Sequence, residues 1–132
     1  MIGLDTNILV RYITQDDVQQ AQRANRIIEQ SCSKTSQGYI AQIVLCELAW
    51  VLQRAYGYDK QQVILVLDQV LITAEFNIEN EDLARKTLET WRKGTAGYSD
   101  YLLVLTNQSA GCEFTYSFDM KLAQHPAVAI PP

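Results

Sequence analysis

Histidine is nearly absent from this sequence, with His125 the only one among 132 residues. That excludes a histidine-built metal cluster, and His125 itself sits beside Pro126 in a loop-like stretch. Cysteine is sparse too. Cys32, Cys46 and Cys112 stand far apart in an odd-numbered set, which fits neither a disulfide framework nor a zinc knuckle. The expectation is a reducing, cytoplasmic compartment. Positive charge is short, at 11 Lys and Arg against 15 Asp and Glu, for a net charge of -4 and a pI of about 4.9. This argues against indiscriminate nucleic-acid binding, which leans on a basic surface. It leaves room for a local basic groove or for a bound cation. No basic segment precedes a signal-like apolar core. No uncharged run approaches the length of a membrane span, and there is neither an internal repeat nor a low-complexity tract. What the chain does have is apolar material, 48% of its residues. That is ample for the core of one domain spanning residues 1–132.

Met1 to Leu4 reads as a short buried strand. Thr6 and Asn7 offer capping side chains, and ILVRYI turns into a helix. Asp16 or Asp17 caps the next helix, whose apolar face is Val18, Ala21, Ala24 and Ile27/Ile28. GYIAQ is a second strand. The run IVLCELAWVLQRAYG is a helix closed by Gly57. Asp59 caps another, with Val63, Val66/Leu67 and Val70/Leu71 inside. AEFNI is a strand, and NEDLARKTLETWRKG an amphipathic helix with a stripe at Leu83/Ala84, Thr87/Leu88 and Trp91 and its bases late, as the helix dipole prefers. Gly97 or Ser99 starts a helix through DYLLVLTNQSA to Gly111. CEFTYSF reads as a strand on the alternation of Phe114, Tyr116 and Phe118. DMKLAQ is a helical turn and VAI a last strand. Strands and helices alternate throughout. The fold class is therefore α/β, with a mostly parallel central sheet and helices on both faces. Such sheets place their sites beyond the carboxyl ends of the strands.

Four acids stand against apolar elements. Asp5 interrupts MIGLDTNILVRYI. Glu47 is the only charge in IVLCELAWVL. Asp100 opens an apolar helix in GYSDYLLVL, and Asp119 ends an apolar strand in TYSFDMKLA. Each has a structural alternative: a turn residue for Asp5, a dipole-favoured first turn for Asp100, a cap for Asp119. Glu47 either points outward from a helix whose opposite face is buried, or is an acid on a core face, which costs several kcal/mol without a partner. Taken together the four map to one end of the expected sheet. Crowded carboxylates raise one another's pKa unless a cation offsets them. For an all-oxygen set that cation is Mg²⁺ or Mn²⁺.

These segments resemble PIN-domain ribonucleases, and among them the VapC toxins of bacterial and archaeal toxin–antitoxin pairs. MIGLDTNILVRYI is similar to the family's opening motif, a strand ending in Asp followed by Thr or Ser and Asn. IVLCELAWVL is similar to the helix carrying the family's Glu. GYSDYLLVLTNQSAGCEFTYSFD is similar to the helix with the third acid and the strand leading to the fourth. The resemblance covers nearly the whole chain. It implies a PIN-like fold with Asp5, Glu47, Asp100 and Asp119 as catalytic, metal-binding acids. Thr6, Asn7 and Ser117 fall on the polar positions that support them. Tyr98 and Ser99 stand where a Phe and an Ala are common, and Ser117 where a Thr is common. Met120 stands where a basic residue usually follows the last motif.

What the resemblance implies for chemistry is Mg²⁺- or Mn²⁺-dependent hydrolysis of RNA phosphodiesters by water, leaving a 5′-phosphate and a 3′-hydroxyl. Arg11 and the helix bases Arg85, Lys86, Arg92 and Lys93 are candidate phosphate contacts. The implied partners are RNA, a cognate antitoxin and a second copy in a homodimer, with no membrane. An acidic pocket would accept an antitoxin's basic side chain. Ile13, Ile27 and Ile28 are candidates for a groove that takes its helix. Two rival readings remain open. One is a phosphatase of the haloacid dehalogenase type, whose D-x-D motif this chain lacks, having Asp5-Thr6-Asn7. The other is a PIN-like binding module that does not cut.

Overall fold

Parallel pairing governs every strand of the structure, a computed structural model that describes residues 1–132. The chain forms two compact units, Met1–Glu81 and Asp82–Pro132.

In the first unit, β1 (Ile2–Gly3) pairs with β2 (Gly38–Ile40), and β2 with β3 (Phe76–Ile78). Parallel neighbours require helical crossovers, and the sequence provides them. α1 (Thr6–Thr14), α2 (Val18–Arg26) and a π-helical turn (Ile27–Ser31) lie between β1 and β2. α3 (Gln42–Arg54) and α4 (Lys60–Ile72) lie between β2 and β3. The core is built from Leu9 and Val10 of α1, Leu45, Leu48 and Leu52 of α3, and Val63, Ile64 and Leu67 of α4, around Ile40; of the residues expected inside α4, Val63, Leu67, Val70 and Leu71 are buried and Val66 is half-buried. Val18 was expected on the apolar face of α2 but is exposed. It is the first residue of that helix, and the buried face is carried by Ala21 and Ala24.

The helix starts follow local chemistry. Asp17 caps α2 through Gln20 N–H at 3.0 Å. Asp59 and Gln62 form a reciprocal capping box at α4. α3 has no side-chain cap of its own, because Ala41 precedes it. The carboxylate of Glu79, just past β3, instead accepts Gln42 N–H at 2.9 Å, while the Gln42 amide donates to the Glu79 and Asn80 carbonyls. The start of α3 is thereby anchored to the carboxyl end of β3.

In the second unit, α5 (Glu81–Lys93, its first residue closing the unit before) buries Leu83, Ala84, Thr87, Leu88 and Trp91, the predicted stripe. α6 (Tyr98–Ser109) follows, then β4 (Thr115–Tyr116), a 3₁₀ turn (Leu122–Gln124) and β5 (Val128–Ala129), which pairs with β4. Gly94 has a reason to be glycine, since a Cβ there would collide with the ring and hydroxyl of Tyr101. That hydroxyl accepts the Ala96 N–H at 3.1 Å and fixes the turn into α6. CEFTYSF departs from expectation. Only Thr115–Tyr116 pairs as strand, and the alternating aromatics face water. Two-residue spacing identifies a face without saying that anything covers it.

Candidate functional site

Asp5 lies two residues past β1 and is itself the N-cap of α1, its Oδ1 accepting Thr6 N–H at 2.8 Å. The expected caps, Thr6 and Asn7, lie inside the helix, because α1 begins two residues before the apolar pattern does. The other Asp5 oxygen has no protein donor. Thr6 is buried, and its hydroxyl finds no hydrogen-bond partner. Asn7 is exposed.

Of the two readings of Glu47, the structure has the outward one. Glu47 is not on the core face of α3, which is Val44, Leu45, Leu48, Ala49 and Leu52. It is exposed, and its carboxylate has no protein partner. Its neighbour Cys46 is half-buried, and burial, then the Glu47 charge, pushes that thiol's pKa up.

Gly3 pairs with Tyr39, so Asp5 and the start of α3 both lie past the carboxyl ends of neighbouring parallel strands. α1 and α3 pack on each other. The first unit therefore carries Asp5 and Glu47 on adjacent helices rising from one end of its sheet.

The second unit holds the other pair. Asp100 is half-buried in the first turn of α6, where its Oδ2 accepts Gly97 N–H at 3.2 Å. Asp119 is exposed and caps the 3₁₀ turn, its Oδ1 accepting Lys121 and Leu122 N–H at 2.9 and 3.2 Å. Ser117 Oγ accepts the Asp119 N–H at 3.0 Å. Asn107 Nδ2 donates to Thr115 Oγ1 at 2.9 Å, tying the far end of α6 to the start of β4.

The donor chemistry suits a hard divalent ion. All four groups are carboxylates, each keeps an oxygen that no protein donor satisfies, and none is paired with a lysine or arginine. No group of three or more His, Cys, Asp or Glu side chains is placed to hold a metal.

The basic candidates differ among themselves. Arg11 is engaged: its guanidinium donates to Asp16 at 3.0 and 3.2 Å, to Gln20 at 2.7 Å and to the Tyr56 hydroxyl at 2.9 Å. Arg92 bonds Glu89 at 3.1 Å. Arg85, Lys86 and Lys93 are exposed on α5, and Lys93 borders a groove of about 330 Å³ with Gly94, Tyr101 and His125. The three isoleucines do not share one groove. Ile13 lines an apolar trough of about 400 Å³ with Leu9, Leu65, Val66, Val70 and Phe76. Ile27 lines a smaller one beside Asn7 and Arg11, and Ile28 is core. Sequence reasoning missed the Arg11–Asp16–Tyr56 cluster and the Glu79 anchor, since both join residues remote in the chain.

The family model described as PIN domain matches residues 2–128. A VapC ribonuclease from Aquifex aeolicus (strain VF5) is 20% identical over 115 residues, covering 87% of this chain and 84% of that protein. No helix is long and apolar enough to cross a membrane.

Proposed function

We propose, from the premise that this chain belongs to the PIN domain family, that it is an Mg²⁺- or Mn²⁺-dependent endoribonuclease. Residues 1–132 act as one nuclease domain. Asp5, Glu47, Asp100 and Asp119 are its metal ligands. One observation carries the reading: four carboxylates follow in the family's order, each with an unsatisfied oxygen and none with a cationic partner. The likeness to a VapC ribonuclease supports RNA as the substrate.

A divalent ion held there would lower the pKa of a bound water and neutralise charge on the phosphoryl oxygens. The chain's own contribution is orientation. Thr6 N–H fixes one Asp5 oxygen and leaves the other outward. The Lys121 and Leu122 N–H groups do the same for Asp119, while Ser117 holds its backbone. The unpaired Thr6 hydroxyl supplies a donor beside Asp5. With a single histidine, in the loop before β5, a 2′-hydroxyl mechanism lacks its usual base. Lys86 and Lys93 are the better phosphate contacts, because Arg11 is held by Asp16.

The toxin reading extends this one. The protein acts in the cytoplasm, inhibits translation by cutting RNA, pairs with a cognate antitoxin and forms a homodimer. The trough along Ile13, Leu65 and Val66 suits the apolar face of an antitoxin helix.

The test is cleavage of a panel of RNAs with and without metal. Activity should vanish in excess chelator and return with Mg²⁺ or Mn²⁺. Asp5→Asn, Glu47→Gln, Asp100→Asn and Asp119→Asn should each lower it at least a hundredfold, with melting temperature preserved. Full activity in chelator overturns the metal reading, and normal cleavage by Glu47→Gln removes Glu47 from the ligand set.

A further inference from the structure

The one histidine of the chain is held more firmly than a loop residue needs. Pro126 follows it and biases it to extended backbone, which it adopts at φ -73° and ψ 135°. The Ala127 N–H donates to His125 Nδ1 at 3.0 Å. Nδ1 is thereby an acceptor, and the proton of the neutral ring sits on Nε2, across the imidazole. The Tyr101 ring lies beside it, with centroids 6.2 Å apart and planes at 48°. Tyr101 is fixed in turn by the Ala96 N–H at 3.1 Å. Nothing in the protein accepts the Nε2 proton. The ring borders a groove of about 330 Å³, and two further side chains there also offer donors. Lys93 is exposed and has no acid partner. Gln124 takes the Thr95 hydroxyl on Oε1 at 3.4 Å, which leaves its amide hydrogens free. No carboxylate lines the groove, in a chain with 15 Asp and Glu.

We infer that this groove, between the end of α5 and the loop before β5, is a binding site for a phosphate group. Lys93 supplies the charge, and His125 Nε2–H and the Gln124 amide supply directed hydrogen bonds. The helix dipole gives no help, since Lys93 closes α5 and the carbonyl end of a helix repels anions. The side chains alone do the selecting. A cation finds no carboxylate there, and the Thr90 hydroxyl is spent on the Lys86 carbonyl. On a chain of net charge -4, such a local site is where an anion can approach. The phosphate is one of an RNA strand, and in that respect the inference rests on the nuclease reading. Tyr101 directly follows Asp100, and Gln124 ends the 3₁₀ turn that Asp119 caps. The two elements that carry the second unit's acids therefore also wall the groove, so it takes a phosphate flanking the bond that is cut.

A single histidine is its own probe. The Cε1–H proton resonance of His125 is followed in the full chain at constant pH, in chelator, so that no metal at the acids recruits the anion. Inorganic phosphate, a single-stranded RNA decamer without terminal phosphates, and NaCl at matched ionic strength are added in turn. Phosphate and the decamer should each move the resonance to saturation, and NaCl should not. Lys93→Gln should weaken both about tenfold, and Lys93→Arg should restore most of the loss. Position 93 is exposed, and an unchanged melting temperature checks that both variants fold. With Mg²⁺ restored, Lys93→Gln should raise KM for RNA more than it lowers kcat. A shift with the decamer alone upholds the site and assigns it to internal phosphodiesters. A shift with phosphate alone upholds it as a phosphate site and overturns RNA as the source. A resonance that moves with neither, moves as far with NaCl, or responds equally in Lys93→Gln overturns the site, and ordinary cleavage beside that result leaves the nuclease reading standing. Saturable binding with no cleavage of any RNA upholds the site while the nuclease reading fails.

Discussion

Asp16 shows how much a single exposed carboxylate can organise. It accepts the Tyr56 hydroxyl and the Thr14 hydroxyl, both at 2.8 Å, and the Arg11 guanidinium. Those hydroxyl donors, ahead of the arginine, lower its pKa from 3.8 to about 2. A carboxylate whose pKa falls on folding stabilises the fold above its unfolded value, and that contribution is lost as pH drops through the folded value. The window is therefore pH 4 down to 2. Asp16→Asn should melt lower than the parent at pH 6, with the gap closing as pH falls toward 2. Denaturant titrations at half-unit steps check this, and a gap that stays constant with pH would show that the charge is immaterial. Because Tyr56 follows α3 while Arg11 lies on α1, the cluster also steadies the two helices that carry Asp5 and Glu47.

At the scale of the element, the start of α3 has the most to lose. Its first amides lack a cap from Ala41, and the Glu79 carboxylate stands in. An acid there also meets the positive end of the helix dipole. Glu79→Ala should cost about 1 kcal/mol, as loss of a helix cap does, and should speed hydrogen exchange at Gln42 and Ile43 before the rest of α3. Unchanged exchange at those amides would mean that water replaces Glu79 without penalty. Elements of this kind mark the limit of what the sequence made legible. Helix ends governed by Asp17, Asp59 and Gly57 were readable, since the capping residue sits beside the turn it closes. Burial stripes such as Leu83, Leu88 and Trp91 were readable because their period is the helix's own. The face taken by Glu47 was left open, because one acid in an apolar run does not say which way the helix is turned. The Phe114–Phe118 row was read as strand for its spacing, but whether a face is covered depends on residues elsewhere. The turn and cap settings of Asp5, Asp100 and Asp119 were legible; which backbone amides each accepts was not.

For the whole molecule the decisive quantity is uncompensated negative charge. The net charge is -4, and the four candidate ligands have no basic partners. A cation bound only by the folded state stabilises it by mass action, about 2.7 kcal/mol at a hundred times its dissociation constant. Millimolar Mg²⁺ or Mn²⁺ should therefore raise the melting temperature by several degrees, and NaCl of equal ionic strength should not. Asp119→Asn should lose most of the increment. An equal rise in that variant would assign the effect to general screening. The all-parallel pairing of the first unit has a consequence of another kind, in time. Ile2 must wait for Gly38, and Gly38 for Phe76, before either ladder exists. Chain closure over such separations comes before the contacts that reward it, which makes such topologies slow to fold. β4 and β5 are separated by one short turn-bearing segment and have far less to search. When the full-length chain refolds, the pairing that flanks Asp119 therefore has the shorter search, and the sheet that precedes Asp5 sets the pace.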